Sequence, residues 1–143
     1  MWPDFECDER EERQTRNPEC ETRNLKQISM SHLIDEFQAY RSKMNEKILS
    51  ADNKVMKRIY SVDTLAYQEG ALNVKTKEML GLVSSMVLRC DDCVKYHLEK
   101  CHEQGTSTEE IFEVFSIANL VGGTIVIPHT RRAVEYWEAL QLK

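Results

Sequence analysis

The chain has 143 residues, 41% hydrophobic and 30% charged, which is material for one domain with a core and excludes a multidomain enzyme or disorder along the whole length. Its net charge of −5 is uneven, because residues 1–24 hold eight acids and four bases while residues 25–143 hold sixteen and fifteen. The body is therefore nearly neutral, and no basic stripe exists to neutralise a nucleic-acid backbone.

No apolar run approaches the ~18 residues of a membrane span, and a terminus charged from Asp4 onward does not read as a signal peptide. The expected compartment is the cytoplasm, where five cysteines read as thiols, a redox pair or metal ligands. Residues 1–24, dense in Glu, Asp and Arg, are expected to form a solvated arm that could order against a neighbouring subunit. Residues 25–143 are expected to form a single helical domain.

From Ile28 the apolar residues Leu33, Ile34, Phe37, Met44, Ile48 and Leu49 fall mostly three or four apart, predicting a first helix. Asp52 is the candidate N-cap of a second helix over 55–69, with the stripe Val55, Ile59, Val62, Leu65 and a stop at Gly70. A third helix runs from near Lys75 to near Arg89 and is apolar over more than half its circumference, so it is expected to be mostly buried. A fourth opens at Cys90-Asp91-Asp92-Cys93, with Asp91 or Asp92 as its cap, and closes at Gly105. Thr106-Ser107-Thr108-Glu109-Glu110 offers two overlapping capping boxes for a fifth. Gly122-Gly123 interrupts it, and Pro128 should kink or restart the last segment, Thr124 to about Leu140. No stretch alternates long enough for a strand, so the fold class is all-α with about six helices.

The chemistry-bearing residues are Glu78, Cys90, Cys93 and His97. Two cysteines separated by two residues at a helix start can close a disulfide, and the helix dipole and free N–H groups there stabilise a thiolate. His97 follows Cys93 by four residues, about 40° further round the helix, where an imidazole can exchange a proton with the sulfur. Glu78, on the preceding helix, could orient His97 or relay its proton. Asp91 and Asp92 oppose thiolate formation by placing negative charge beside both sulfurs. Each residue also has a plainer reading: two small core cysteines, a satisfied histidine, and a glutamate on a solvated face with Lys75 and Lys77.

Cys90, Cys93, His97 and Cys101 also have the composition of a zinc site. On an intact helix, however, the outer two lie about 16 Å apart at 1.5 Å per residue, too far for all four to converge on one ion, although two of them with outside ligands could. Cys101 reads as a small buried residue or, one turn past His97, as a backup resolving thiol, and Cys7 and Cys20 have no recognisable partner. His129, Arg131 and Arg132 could touch an anionic substrate or the site's mouth, against the plainer reading of ordinary surface charges. His32 and His102 read as surface residues, Met79 and Met86 as core fillers. No metal, flavin or nucleotide motif is present, so no cofactor is expected.

Glu78-x11-Cys90-x2-Cys93-x3-His97, with Gly105, Glu109-Glu110-Ile111 and Gly122-Gly123 after it, resembles the carboxymuconolactone decarboxylase superfamily, specifically its alkylhydroperoxidase D-like branch, over roughly residues 60–135. The resemblance implies an all-α antioxidant fold assembling as trimers or hexamers, with hydroperoxide reduced at the cysteine pair. It assigns Cys93 as the peroxidatic and Cys90 as the resolving cysteine, Glu78 and His97 as a proton relay, and a dithiol or lipoyl-bearing protein as reductant. The chain departs from several members of that branch in carrying Asp92 where they have a histidine. The cysteine pair argues against the decarboxylase branch. Two alternatives stand beside the peroxidase: a lyase or isomerase using His97, His129 and Glu78 in acid–base chemistry, and a non-catalytic redox-sensing oligomeric module.

Overall fold

Side-chain oxygens set three of the helix starts. Asn53 Oδ1 accepts from the backbone N–H groups of Val55 and Met56 at 3.0 and 3.1 Å, and Asn73 Oδ1 accepts from Thr76 N–H at 2.8 Å. Ser107 and Glu110 exchange hydrogen bonds in a capping box, so of the two overlapping boxes the second forms. The computed structural model describes the backbone from Pro18 and the side chains from Met30 onward. Six α-helices follow in order: α1 (Pro18–Ser50), α2 (Lys54–Ala66), α3 (Val74–Val87), α4 (Asp91–Glu103), α5 (Thr108–Gly122) and, after a 3₁₀ turn at Thr124–Val126, α6 (Ile127–Gln141). No strand occurs among the described residues.

The all-α expectation holds, and several boundaries move. α1 begins at Pro18, ahead of the predicted Ile28, because proline suits the first turn, where its missing N–H has no intrahelical partner to lose. Of the arm expected over residues 1–24, residues 1–17 lie outside the described residues, and residues 18–24 are not a separate arm but the first turns of α1. Asp52 does not cap α2. It occupies the left-handed region at φ 53° and pairs with Lys57 Nζ at 2.6 Å, while Asn53 in extended conformation takes the cap. α2 stops at Ala66 rather than 69 because Lys77 Nζ donates to the carbonyls of Ala66 and Gln68, satisfying groups the helix end leaves open. Pro128 restarts rather than kinks its segment, lying in the first turn of α6.

α3 packs on α4 and α5, and α6 packs on α4 and α1. Their shared core contains Ile34, Leu82, Met86, Leu98, Ile111 and Trp137, each at most 1% exposed. Burying side chains of this size stabilises the fold by about 1.5–3 kcal/mol each. Two core aromatics keep their polar atoms satisfied: Trp137 Nε1 donates to Thr108 Oγ1 at 3.1 Å and the Tyr136 hydroxyl to Glu99 at 2.6 Å. α3 is less covered than its pattern predicts, since Leu80 is 53% exposed and Leu88, just past its end, 75%. No helix among the described residues is long and apolar enough to cross a membrane.

Candidate functional site

The turn between α3 and α4 places the cysteines. Arg89 is left-handed at φ 59°, and the chain closes α3 with paired hydrogen bonds, Arg89 N–H to Met86 O and Cys90 N–H to Ser85 O, both 3.0 Å. Cys90 thereby ends one helix and caps the next: its Sγ accepts from Cys93 N–H at 3.4 Å. The cap falls to Cys90 rather than to Asp91 or Asp92, which sit in the first turn of α4. Cys90 and Cys93 are joined as a disulfide with Cα atoms 5.3 Å apart, inside the range such a bridge spans without backbone movement. Cys93 is exposed and Cys90 half-buried.

One turn further along α4, His97 is 7% exposed and Glu78, from α3, 3% exposed. Their contact, His97 Nδ1 to Glu78 Oε2, is 2.7 Å. Glu78 is thus no member of a solvated lysine face. Lys77 is drawn to the end of α2, and Lys75 pairs with Glu110 at 2.6 Å. A carboxylate accepting from Nδ1–H fixes the imidazole orientation and leaves Nε2 as the basic nitrogen when the ring is neutral.

Two residues escaped the sequence reading. The Tyr67 ring lies 5.3 Å from the His97 ring, centroid to centroid. Burial, and next the negative Glu78, raise the Tyr67 hydroxyl above its ordinary pKa, which keeps it a proton donor. Gly81 makes that approach possible: a Cβ there would sit 2.5 Å from His97 Cε1 and 2.6 Å from Tyr67 Oη. A mid-helix glycine three residues after Glu78 is the signal that was available, because Gly costs about 1 kcal/mol against Ala in a helix interior and calls for a packing reason. Ala66, Tyr67, Leu80, Gly81, Ser85 and His97 line a cleft of about 360 Å³.

His129 and Arg132 are brought to Asp91 at the start of α4 rather than left on an ordinary surface. His129 Nδ1 lies 2.6 Å from Asp91 Oδ1, and Arg132 Nε lies 3.0 Å from Asp91 Oδ2. Partial burial pushes the Asp91 carboxyl pKa up, but the hydrogen bonds from His129 and Arg132 outweigh it and hold the group below its usual range. Arg131 is exposed. His102 packs edge-on against Trp137, and His32 pairs with Glu36 across one exposed turn.

Cys101 is fully buried, and burial, with Glu78 adding to it, pushes its thiol up to about 12. It is a packing residue at neutral pH. α4 is unbroken from Asp91 to Glu103, so Cys93, His97 and Cys101 are strung along it. No group of three or more His, Cys, Asp or Glu among the described residues could hold a metal ion.

This arrangement has known relatives. Residues 53–136 match the model of the carboxymuconolactone decarboxylase family, and the chain belongs to that family. The crystal structure of a Thermotoga maritima protein aligns at 53% identity over 74% of this chain and 93% of its own, with a TM-score of 0.73. A second crystal structure of that protein, at 52% identity and TM-score 0.72, describes it as a carboxymuconolactone decarboxylase family protein for which a part in the antioxidative response is suggested. A Legionella pneumophila family member shares the fold, with a TM-score of 0.60 at 24% identity over 79% of this chain and 95% of its own. An uncharacterized protein of Cupriavidus necator is 28% identical over 63% of this chain and 80% of its own length.

Proposed function

We propose that this family member is a thiol-dependent peroxidase and disulfide oxidoreductase that reduces hydroperoxides through Cys93 and Cys90. The observation that carries the reading is the placement of a disulfide-forming pair on the first turn of α4 with the buried Glu78–His97 pair one turn behind it. In the first step the Cys93 thiolate attacks the terminal peroxide oxygen. An S–O bond forms, the O–O bond breaks, sulfur loses two electrons, and the departing alkoxide or hydroxide takes a proton from the imidazolium of His97. That proton is the one the thiol surrendered to Nε2, with Glu78 holding Nδ1. Cys90 then attacks the sulfenic sulfur, forming S–S and releasing hydroxide, which leaves as water with the Cys90 proton. An external dithiol reopens the bridge by exchange and becomes a disulfide itself.

A lipoyl-bearing or other dithiol protein is the proposed reductant, and the cytoplasm, which keeps such dithiols reduced, the proposed setting. Assembly as a trimer or hexamer belongs to the same reading, supported by the exposed stripe Val55, Ile59, Val62 and Leu65, each more than half exposed, on α2. The lyase alternative draws less support, because it asks His129 to act with His97 and Glu78 and the imidazole of His129 is held by Asp91 instead.

The test is intact-mass analysis of the reduced protein after one equivalent of peroxide with a sulfenic-acid trap, on wild type and Cys90→Ser. A trapped Cys93 in the variant and a Cys90–Cys93 disulfide in wild type support the peroxidase. Thiols that stay reduced in both overturn it.

A further inference from the structure

The aspartate that follows Cys90 poses an electrostatic problem. An uncompensated carboxylate within a few ångströms of a thiol disfavours its thiolate, and Asp91 occupies that place in the sequence. The fold answers from α6. His129 Nδ1 contacts Asp91 Oδ1 at 2.6 Å, Arg132 Nε contacts Oδ2 at 3.0 Å, and Arg132 Nη2 reaches Oδ1 at 3.3 Å. Arg132 Nη2 also lies 2.9 Å from His129 Nδ1. A single Nδ1 cannot both donate to the carboxylate and accept from Arg132, and the shorter contact to a charged oxygen makes it a donor to Asp91. The His129 side chain is only 15% exposed, against 39% for Asp91 and 49% for Arg132. The contact closes over 38 residues of sequence and joins the first turn of α6 to the first turn of α4.

We propose that Asp91, His129 and Arg132 form a charge-balanced clamp that fixes the redox turn against α6 and sets the thiolate stability and redox poise of the Cys90–Cys93 pair. With Arg132 cationic and Asp91 anionic, the cluster carries no net charge when His129 is neutral and one positive charge when it is protonated, so the sulfurs face no net negative charge from it. The other groups beside the pair are Arg89 before it, exposed Asp92 within it, and the Glu78–His97 pair behind it. All three clamp residues are positioning residues, acting through the cysteines rather than on a substrate.

The proposal rests on the redox reading of the pair but is tested without peroxide. The pH dependence of iodoacetamide alkylation of Cys93, located by mass spectrometry, gives the thiol pKa. Equilibration against dithiothreitol gives the disulfide stability. Asp91→Asn leaves Arg132 uncompensated and is expected to lower the thiol pKa by about half a unit, a partly exposed charge being worth a fraction of a buried one. Arg132→Gln is expected to raise it by a similar amount, and the double variant to return toward wild type. A lower thiol pKa stabilises the reduced form, so Asp91→Asn should also favour the dithiol about threefold, roughly 14 mV at two electrons. Arg132→Lys keeps the charge and should stay near wild type even where Arg132→Gln loosens the fold.

Shifts of the same sign in Asp91→Asn and Arg132→Gln, or none in either, overturn the clamp. The peroxidase reading fails separately, when wild-type thiols ignore peroxide while the alkylation pKa values still move in opposite directions.

Discussion

Helices α2 and α4 are each thirteen residues long and each carries an apolar stripe, yet α4 buries Val94, His97, Leu98 and Cys101 while α2 buries nothing. α4 is wedged between α3 and α6, whereas α2 rests only lightly on α1. An amphipathic pattern therefore states which face of a helix is apolar and leaves open what covers it. The chemistry follows the same division, since both groups of the candidate relay, Glu78 and His97, are on the covered helices, while Tyr67 reaches the His97 ring from just past the end of α2.

Changes on the covered side should break this contrast most visibly. Glu78→Ala leaves His97 buried without its partner and is expected to cost about 3 kcal/mol of stability by urea denaturation, together with loss of Cys93 oxidation by peroxide. Gly81→Ala inserts a carbon into the His97 and Tyr67 side chains, an overpacking worth about 1–3 kcal/mol. The same denaturation assay and the His97 ring signals in NMR would register it. Unchanged ring signals would mean that the glycine is not needed for space.

On the uncovered side the effects should be small in the monomer and appear in assembly instead. Val62→Ser, at a position 54% exposed, is expected to change subunit stability by less than about 0.5 kcal/mol while lowering the solution mass measured by light scattering. A stability loss comparable to Glu78→Ala would show that α2 is part of the subunit core after all. The smallest expected effect is on pH. The Asp91 pKa is lowered in the fold, so its contribution is present above the unfolded carboxylate pKa and is lost as the pH falls through the folded value. Acid unfolding curves of wild type and Asp91→Asn should diverge above that window and converge below it.

Much of the fold was legible because its signals are local. Apolar side chains three or four residues apart, a Ser-x-x-Glu box ahead of them and a Gly or Pro at their edge act within one or two turns, and six helices follow from them. Cys90, Cys93 and His97 were legible for the same reason, since their spacing places them on successive turns of one helix. Asp52 misled because Asn53 beside it is as good a cap, and the choice between them depends on which residue the preceding turn leaves in extended conformation. Tyr67 and Gly81 were missed because an aromatic at a helix end and a glycine inside a helix acquire meaning only from the side chains of another element.

By itself the amino-acid sequence determined the helices, the spacing that lets Cys90 and Cys93 meet and the place of His97 one turn beyond them, because covalent geometry and the helical repeat set distances over a few residues. Only the tertiary structure decided that Glu78 is buried against His97, that Asp91 is answered by His129 and Arg132, and that the stripe of α2 stays uncovered within the subunit. Those distances join residues 19 to 41 positions apart, and they are set by how helices cross and pack, which no local repeat encodes.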